Sequence, residues 1–80
     1  MRTQDALRER IYELCRKNHM TITGIAKASG ITQSTLSNIT RGRNNSTTVA
    51  TIKKLCDGIG MELPEFFNSD LFRNLEQEMI

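Results

Sequence analysis

Residues 25–42 read IAKASGITQSTLSNITRG, and this stretch decides the fold. Thr32, Gln33, Ser34, Thr35, Ser37, Asn38 and Thr40 crowd into residues 32–40. Such residues are mediocre helix formers, because their side chains compete for backbone hydrogen bonds. Yet Ile31, Leu36 and Ile39 keep the spacing of a buried helical stripe, and glycines bracket the run. The stretch is therefore either a polar loop or a helix kept polar for a purpose.

A helix over 33–41 turns Leu36 and Ile39 inward and gathers Gln33, Ser34, Ser37, Asn38 and Arg41 on one outward strip. Every member of that strip can donate a hydrogen bond and none is acidic, which suits a helix lying in a DNA major groove and facing base edges. The first half of the stretch agrees. Ala26 is small where two helices joined by a three-residue turn come closest, and Gly30 can take the positive φ of that turn. Ile25, Ile31, Leu36 and Ile39 fill the wedge between the two helices. These offsets make a helix-turn-helix.

Outward from it, the periodicity stays helical and no run alternates like a strand. A first helix spans about 4–18, with Leu7, Ile11, Leu14 and Cys15 on one face, Thr3 as N-cap, and Glu13 and Lys17 as an i,i+4 pair. A second spans about 22–29, capped by Thr21, and Thr32 caps the third, which Gly42 ends. After a polar loop, a fourth helix over about 48–58 aligns Val49, Ile52, Leu55, Cys56 and Ile59, with Gly58 and Gly60 marking its end. Pro64 suits the first turn of a short fifth helix holding Leu63, Phe66 and Phe67. The last segment places Leu71, Phe72, Leu75 and Met79 on one amphipathic stripe. The expected architecture is all-α: a five-helix domain over 1–67 and a C-terminal amphipathic helix over 68–80.

Eighty residues, 38% of them apolar and only three Phe and one Tyr aromatic, allow one small aliphatic core. Cys15 and Cys56 are too few for a disulfide framework, and with His19 as the one histidine they fit no zinc spacing. No metal and no cofactor are expected. The N-terminal MRTQDALRERIYELC holds no signal-peptide core and nothing downstream could span a bilayer, so a cytoplasmic location is expected.

Net charge is only +2, but its distribution is informative. No acid lies between Glu13 and Asp57, where an even spread of the nine would put about five. Arg16, Lys17, Lys27, Arg41, Arg43, Lys53 and Lys54 all fall in that interval. A basic middle followed by an acidic end fits a polyanion-binding module with a solvated tail.

On these residues, IAKASGITQSTLSNITRG and the following TIKKLCDGIGMELPEFF, the chain resembles the Cro/C1-type (Xre-like) helix-turn-helix family of phage repressors and small bacterial regulators. The resemblance runs over 21–67, and residues 4–18 are similar to that family's first helix. It implies a DNA-binding regulator, usually a dimer on an inverted repeat and here expected to be a repressor. By position, Gln33, Ser34, Ser37 and Asn38 match the family's base-facing residues. Thr32 and Thr35 match positions close to phosphates, Arg43 and Asn44 a phosphate-touching loop, and Thr21 the cap of the second helix, whose N-terminus points at a phosphate. Lys27 and Arg41, in the acid-free interval, are expected on the DNA backbone as well. Ile22 stands where the family often has glutamine, and Thr40 where it often has a glutamate paired with the first helix.

An enzyme has no constellation to rest on: no glycine-rich phosphate loop, no carboxylate cluster on one face, no metal-ligand spacing. The rival reading is a protein-interaction module, or an antitoxin-type regulator whose C-terminal stripe engages a protein partner. That stripe has three possible uses: packing on its own domain, a homodimer contact, or a partner protein.

Overall fold

The computed structural model describes residues 1–41 and 47–79. Five α-helices follow in order: α1 Thr3–Lys17, α2 Ile22–Ser29, α3 Gln33–Thr40, α4 Val49–Ile59 and α5 Leu63–Phe67, with one 3₁₀ turn over Asp70–Phe72. The expected all-helical class and the five helices are found, with no strand among the described residues.

Local chemistry sets the helix boundaries. Thr21, Thr32 and Thr48 each accept a backbone N–H three residues on, from Gly24, Thr35 and Thr51, relieving one of the unpartnered donors at each N-terminus. Gly30 and Gly60 end α2 and α4 in the left-handed region, at φ 68° and 70°, where a Cβ would be strained. α1 starts one residue earlier than expected. Thr3 is its first helical residue, Arg2 precedes it, and no side chain caps it.

The core is one aliphatic cluster. Leu7, Ile11 and Leu14 of α1 meet Ile25 and Ala26 of α2, Leu36 and Ile39 of α3, Ile52, Leu55 and Cys56 of α4, and Phe66 of α5. α2 packs most extensively on α4, and Gly58 makes that possible. A Cβ at Gly58 would collide with the Ser29 hydroxyl and lie 2.8 Å from Ser29 Cα and 2.9 Å from the Ala28 carbonyl carbon. Gly58, the penultimate residue of α4, marks its last turn as expected and also lies at the helix crossing.

Val49 also departs from expectation. It is 62% exposed, because as the first residue of α4 it lies beyond the edge of the core that begins at Ile52. Cys15 and Cys56 are free and buried, and burial pushes both thiols up.

Arg10 is the one buried cation among the described residues, 6% exposed and set among the apolar residues of α1. Its guanidinium reaches across 55 residues to α5. Nε donates to the Phe66 carbonyl at 2.8 Å and Nη2 to the Glu65 carbonyl at 3.0 Å, while Nη1 pairs with Glu13. The Phe66 ring lies beneath it, 5.9 Å to the centroid. Carbonyls at the end of a five-residue helix have no helical donor; that of Glu65 also accepts from the Asn68 N–H at 3.2 Å, so it is the Phe66 carbonyl that depends on Arg10. Glu13 is thus engaged with Arg10 rather than with Lys17.

The expected C-terminal helix does not form. After the 3₁₀ turn the chain runs without regular structure, extended at Arg73 and left-handed at Asn74, φ 59°. A helix this short is marginal in water unless one face finds a surface to bury against. Here the apolar residues are used differently. Phe72 packs on Phe66 and Phe67, with centroids 5.9 and 5.1 Å apart, the turn lies against α1, and the Glu76 N–H donates to the Met1 carbonyl at 3.1 Å. Leu71 and Leu75 are half-buried, and Met79 is 86% exposed. The segment packs on its own domain as a strap.

Candidate nucleic-acid interface

α2 and α3 are joined by Gly30-Ile31-Thr32. The Ile31 N–H donates to the Ala26 carbonyl at 3.1 Å and the Gly30 N–H to that of Lys27 at 3.3 Å, which closes α2 and turns the chain into α3. Ala26 is buried at the crossing, with Ile25, Leu36 and Ile39 all at most 1% exposed beside it. The wedge is formed by the residues the spacing indicated, with Ile31 half-buried at its edge.

The outward face of α3 is graded. Gln33, Ser34, Thr35 and Arg41 are exposed, whereas Ser37 and Asn38 are only half-buried. The side chains of Ser37 and Asn38 make no hydrogen bond to another described residue. Thr40 is buried and its hydroxyl donates to the Ser37 carbonyl at 3.2 Å. In the place the family often fills with a glutamate, a short side chain thus closes on its own helix. Arg41 is the C-cap rather than a helical residue. The Thr32 hydroxyl accepts from the Thr35 N–H at 3.2 Å and donates to the Thr35 hydroxyl at 2.8 Å, so the Thr32 proton is used at the helix start while the Thr35 hydroxyl can still donate. Thr21 Oγ1 accepts from the Gly24 N–H at 2.9 Å, and the N–H groups of Ile22 and Thr23 remain without an intrahelical acceptor. Gly42, Arg43, Asn44, Asn45 and Ser46 lie outside the described residues.

Charge pairing sharpens the basic interval. Arg8 pairs with Asp5 and Glu9, Arg10 with Glu13, Lys53 with Asp57 and Arg73 with Asp70. Asp57 also raises the Lys53 pKa, by hydrogen bonding and by its charge. Lys53 therefore keeps its proton and holds its charge against Asp57. Arg16, Lys17, Lys27, Arg41 and Lys54 are exposed and pair with no carboxylate among the described residues. Most of the cations in the acid-free interval are left open to a polyanion.

Two side-chain bonds here are not legible in the sequence. Gln33 Nε2 donates to Thr23 Oγ1 at 3.1 Å, across the turn from α3 to α2. Gln4 Nε2 donates to Thr47 Oγ1 at 2.8 Å, tying the first turn of α1 to the approach to α4. Neither pairing follows a helical period, since each depends on the angle between elements. Arg10, by contrast, did leave a signal, as a cation set into the stripe of Leu7, Ile11 and Leu14.

No helix among the described residues is long and apolar enough to cross a membrane. No curated protein and no solved structure matches the chain. The profile of the helix-turn-helix family does, over residues 11–66, a span that starts within α1, takes in the α2–α3 pair and ends on the buried Phe66. With the wedge, the turn glycine and that match over well more than half of its length, the chain belongs to the Cro/C1-type helix-turn-helix family and is a DNA-binding regulator.

Proposed function

We propose that the chain is a sequence-specific repressor of transcription that binds duplex DNA as a two-fold dimer, with α3 in the major groove. The observation that carries this reading is the surface of α3. It is an acid-free helix whose hydrogen-bonding side chains face outward while Leu36 and Ile39 anchor it from beneath. Gln33, Ser34, Ser37 and Asn38 read bases. Gln33 and Asn38 suit bidentate pairing with adenine, worth roughly 1–3 kcal/mol of discrimination each.

Thr21, Lys27, Thr32, Thr35, Arg41, Arg43 and Asn44 hold the DNA backbone, and the unpaired cations orient the domain on it. No Lys or Arg lies within 33–38, so guanine readout from the middle of the helix is weak. The dimensions of the domain, 36 × 24 × 20 Å, suit two copies side by side on successive major grooves about 34 Å apart.

Selection from random duplex DNA at moderate salt tests the proposal. The expected product is an inverted repeat with half-sites about one helical turn apart. Asn38→Ala should relax preference at one operator position, and Arg43→Ala should weaken all duplexes alike and flatten the salt slope by about one. Equal losses on every sequence from both variants would refute base readout by α3. A single enriched half-site would remove the dimer. Absence of enrichment would favour a protein partner on the same fold.

A further inference from the structure

We infer that Thr23 is a positioning residue for base readout, fixing the amide of Gln33 and thereby setting the selectivity at the base pair Gln33 meets. The inference rests on the proposed role of Gln33 and goes beyond it, since Thr23 stands on the other helix of the pair.

Gln33 is exposed at the first position of α3. A glutamine there has three side-chain torsions to lose on docking, and a free one pays for no mistake: facing the wrong base, it swings out and hydrogen-bonds water. In this chain it is not free. Its Nε2 donates to Thr23 Oγ1 at 3.1 Å, the one side-chain hydrogen bond between α2 and α3 among the described residues. Thr23 is half-buried in the first turn of α2, its hydroxyl oxygen meets no other described donor, and its β-branched side chain has few rotamers. The acceptor is therefore itself well placed.

The chemistry leaves the reading edge intact. Nε2 carries two hydrogens, and with one given to Thr23 the other remains beside Oε1. That donor and acceptor are what adenine N7 and the adenine amino group require. Withdrawal of the tethered amide to water costs the bond to Thr23, so a mismatched base carries a penalty that a free glutamine would escape. Discrimination against the wrong base rises more than affinity for the right one. The helix pair thus couples its own crossing geometry to readout, because a shift of α3 along α2 would break the tether.

Three variants of the full chain, profiled by the random-duplex selection, test this. Gln33→Ala identifies the base pair that Gln33 reads. Thr23→Val keeps the branched shape and removes the acceptor. It should lower preference at that pair about three- to tenfold, the range of one net hydrogen bond, with other positions and the urea midpoint unchanged. Thr23→Ser, which keeps the hydroxyl, should restore the profile, a rescue that a purely structural role would not produce. An unchanged preference in Thr23→Val, where Gln33→Ala flattens that pair, overturns the positioning role and leaves base readout by Gln33 standing. A uniform loss on every duplex in Thr23→Val also overturns it, making Thr23 a backbone contact. If Gln33→Ala flattens no position, base readout by Gln33 falls and the inference with it.

Discussion

Replacing Arg10 with methionine removes a clamp and little else. The aliphatic stem of the side chain, buried in α1, is preserved in shape by methionine. What disappears is the guanidinium, with its bonds of 2.8 Å to the Phe66 carbonyl and 3.0 Å to the Glu65 carbonyl. Hydrogen bonds to charged groups contribute about 1.5–3 kcal/mol each. Relief of the buried cation's desolvation offsets part of the sum. The Glu65 carbonyl keeps the Asn68 N–H, while Phe66 is fully buried and its carbonyl is left unpaired. The expected net loss is about 2–4 kcal/mol, a large share of the 5–15 kcal/mol typical of a domain. At roughly 4–8 °C per kcal/mol for a chain of this size, the thermal midpoint should fall by about 8–32 °C. Urea unfolding measures the loss directly, with an unchanged slope showing that the unfolded state is the same. Arg10→Lys should recover less than half, since a single ammonium cannot span two carbonyls as a planar fork does. Glu13→Gln should cost under about 1 kcal/mol, because that carboxylate is 38% exposed. A methionine variant within about 0.5 kcal/mol of the parent, or a lysine variant equal to it, would refute the clamp.

Two further perturbations address other joints of the fold. Gly58→Ala gains up to about 1 kcal/mol of helix propensity but drives a methyl into the Ala28–Ser29 backbone, an overpacking that costs about 1–3 kcal/mol. Net destabilisation in urea is expected, and a more stable variant would mean that α2 and α4 do not approach this closely. Burial raises the thiols of Cys15 and Cys56 above their ordinary value of 9.0, against smaller opposing effects of Arg16 and Lys53. The unfolded chain therefore releases those protons first as pH rises. Their contribution to stability is complete below the ordinary thiol range and declines on the way up to the folded values. A stability profile from neutral to alkaline pH should fall less steeply in the Cys15→Ala, Cys56→Ala double variant, and parallel profiles would refute the shift.

The helix-turn-helix was legible because its information is local. Ile25, Ala26, Gly30, Ile31, Leu36 and Ile39 lie within fifteen residues, and their roles follow from helical period and the left-handed turn that Gly30 takes at φ 68°. The tail departs from its helical pattern for the opposite reason. Leu71, Phe72, Leu75 and Met79 have helical spacing, but spacing records only which residues could share a face. Phe72 instead finds two phenylalanines from α5, and the left-handed Asn74 follows. Val49 failed likewise, on the stripe in period but past the end of the core in space. Gly58 reads as punctuation in sequence and acts as a contact in three dimensions.

The composition of α3 also has a physical account. Eight residues make too short a helix to hold by propensity, and in isolation it would be largely unfolded. Its stability comes from the Thr32 cap, from Leu36 and Ile39 sunk to at most 1% exposure, and from the helices around them. Because the inward face and the cap fix the backbone, the outward residues need not be good helix formers. Alanine or leucine there would add intrinsic propensity and leave nothing to pair with a base edge. Serine, asparagine and glutamine sacrifice a few tenths of a kcal/mol each, a loss the wedge can absorb. The same logic makes the readout face sensitive to remote change. A substitution that loosens α2 against α4, or frees α5 from Arg10, acts on the scaffold that keeps α3 helical, and with it on the alignment of Gln33 with Thr23.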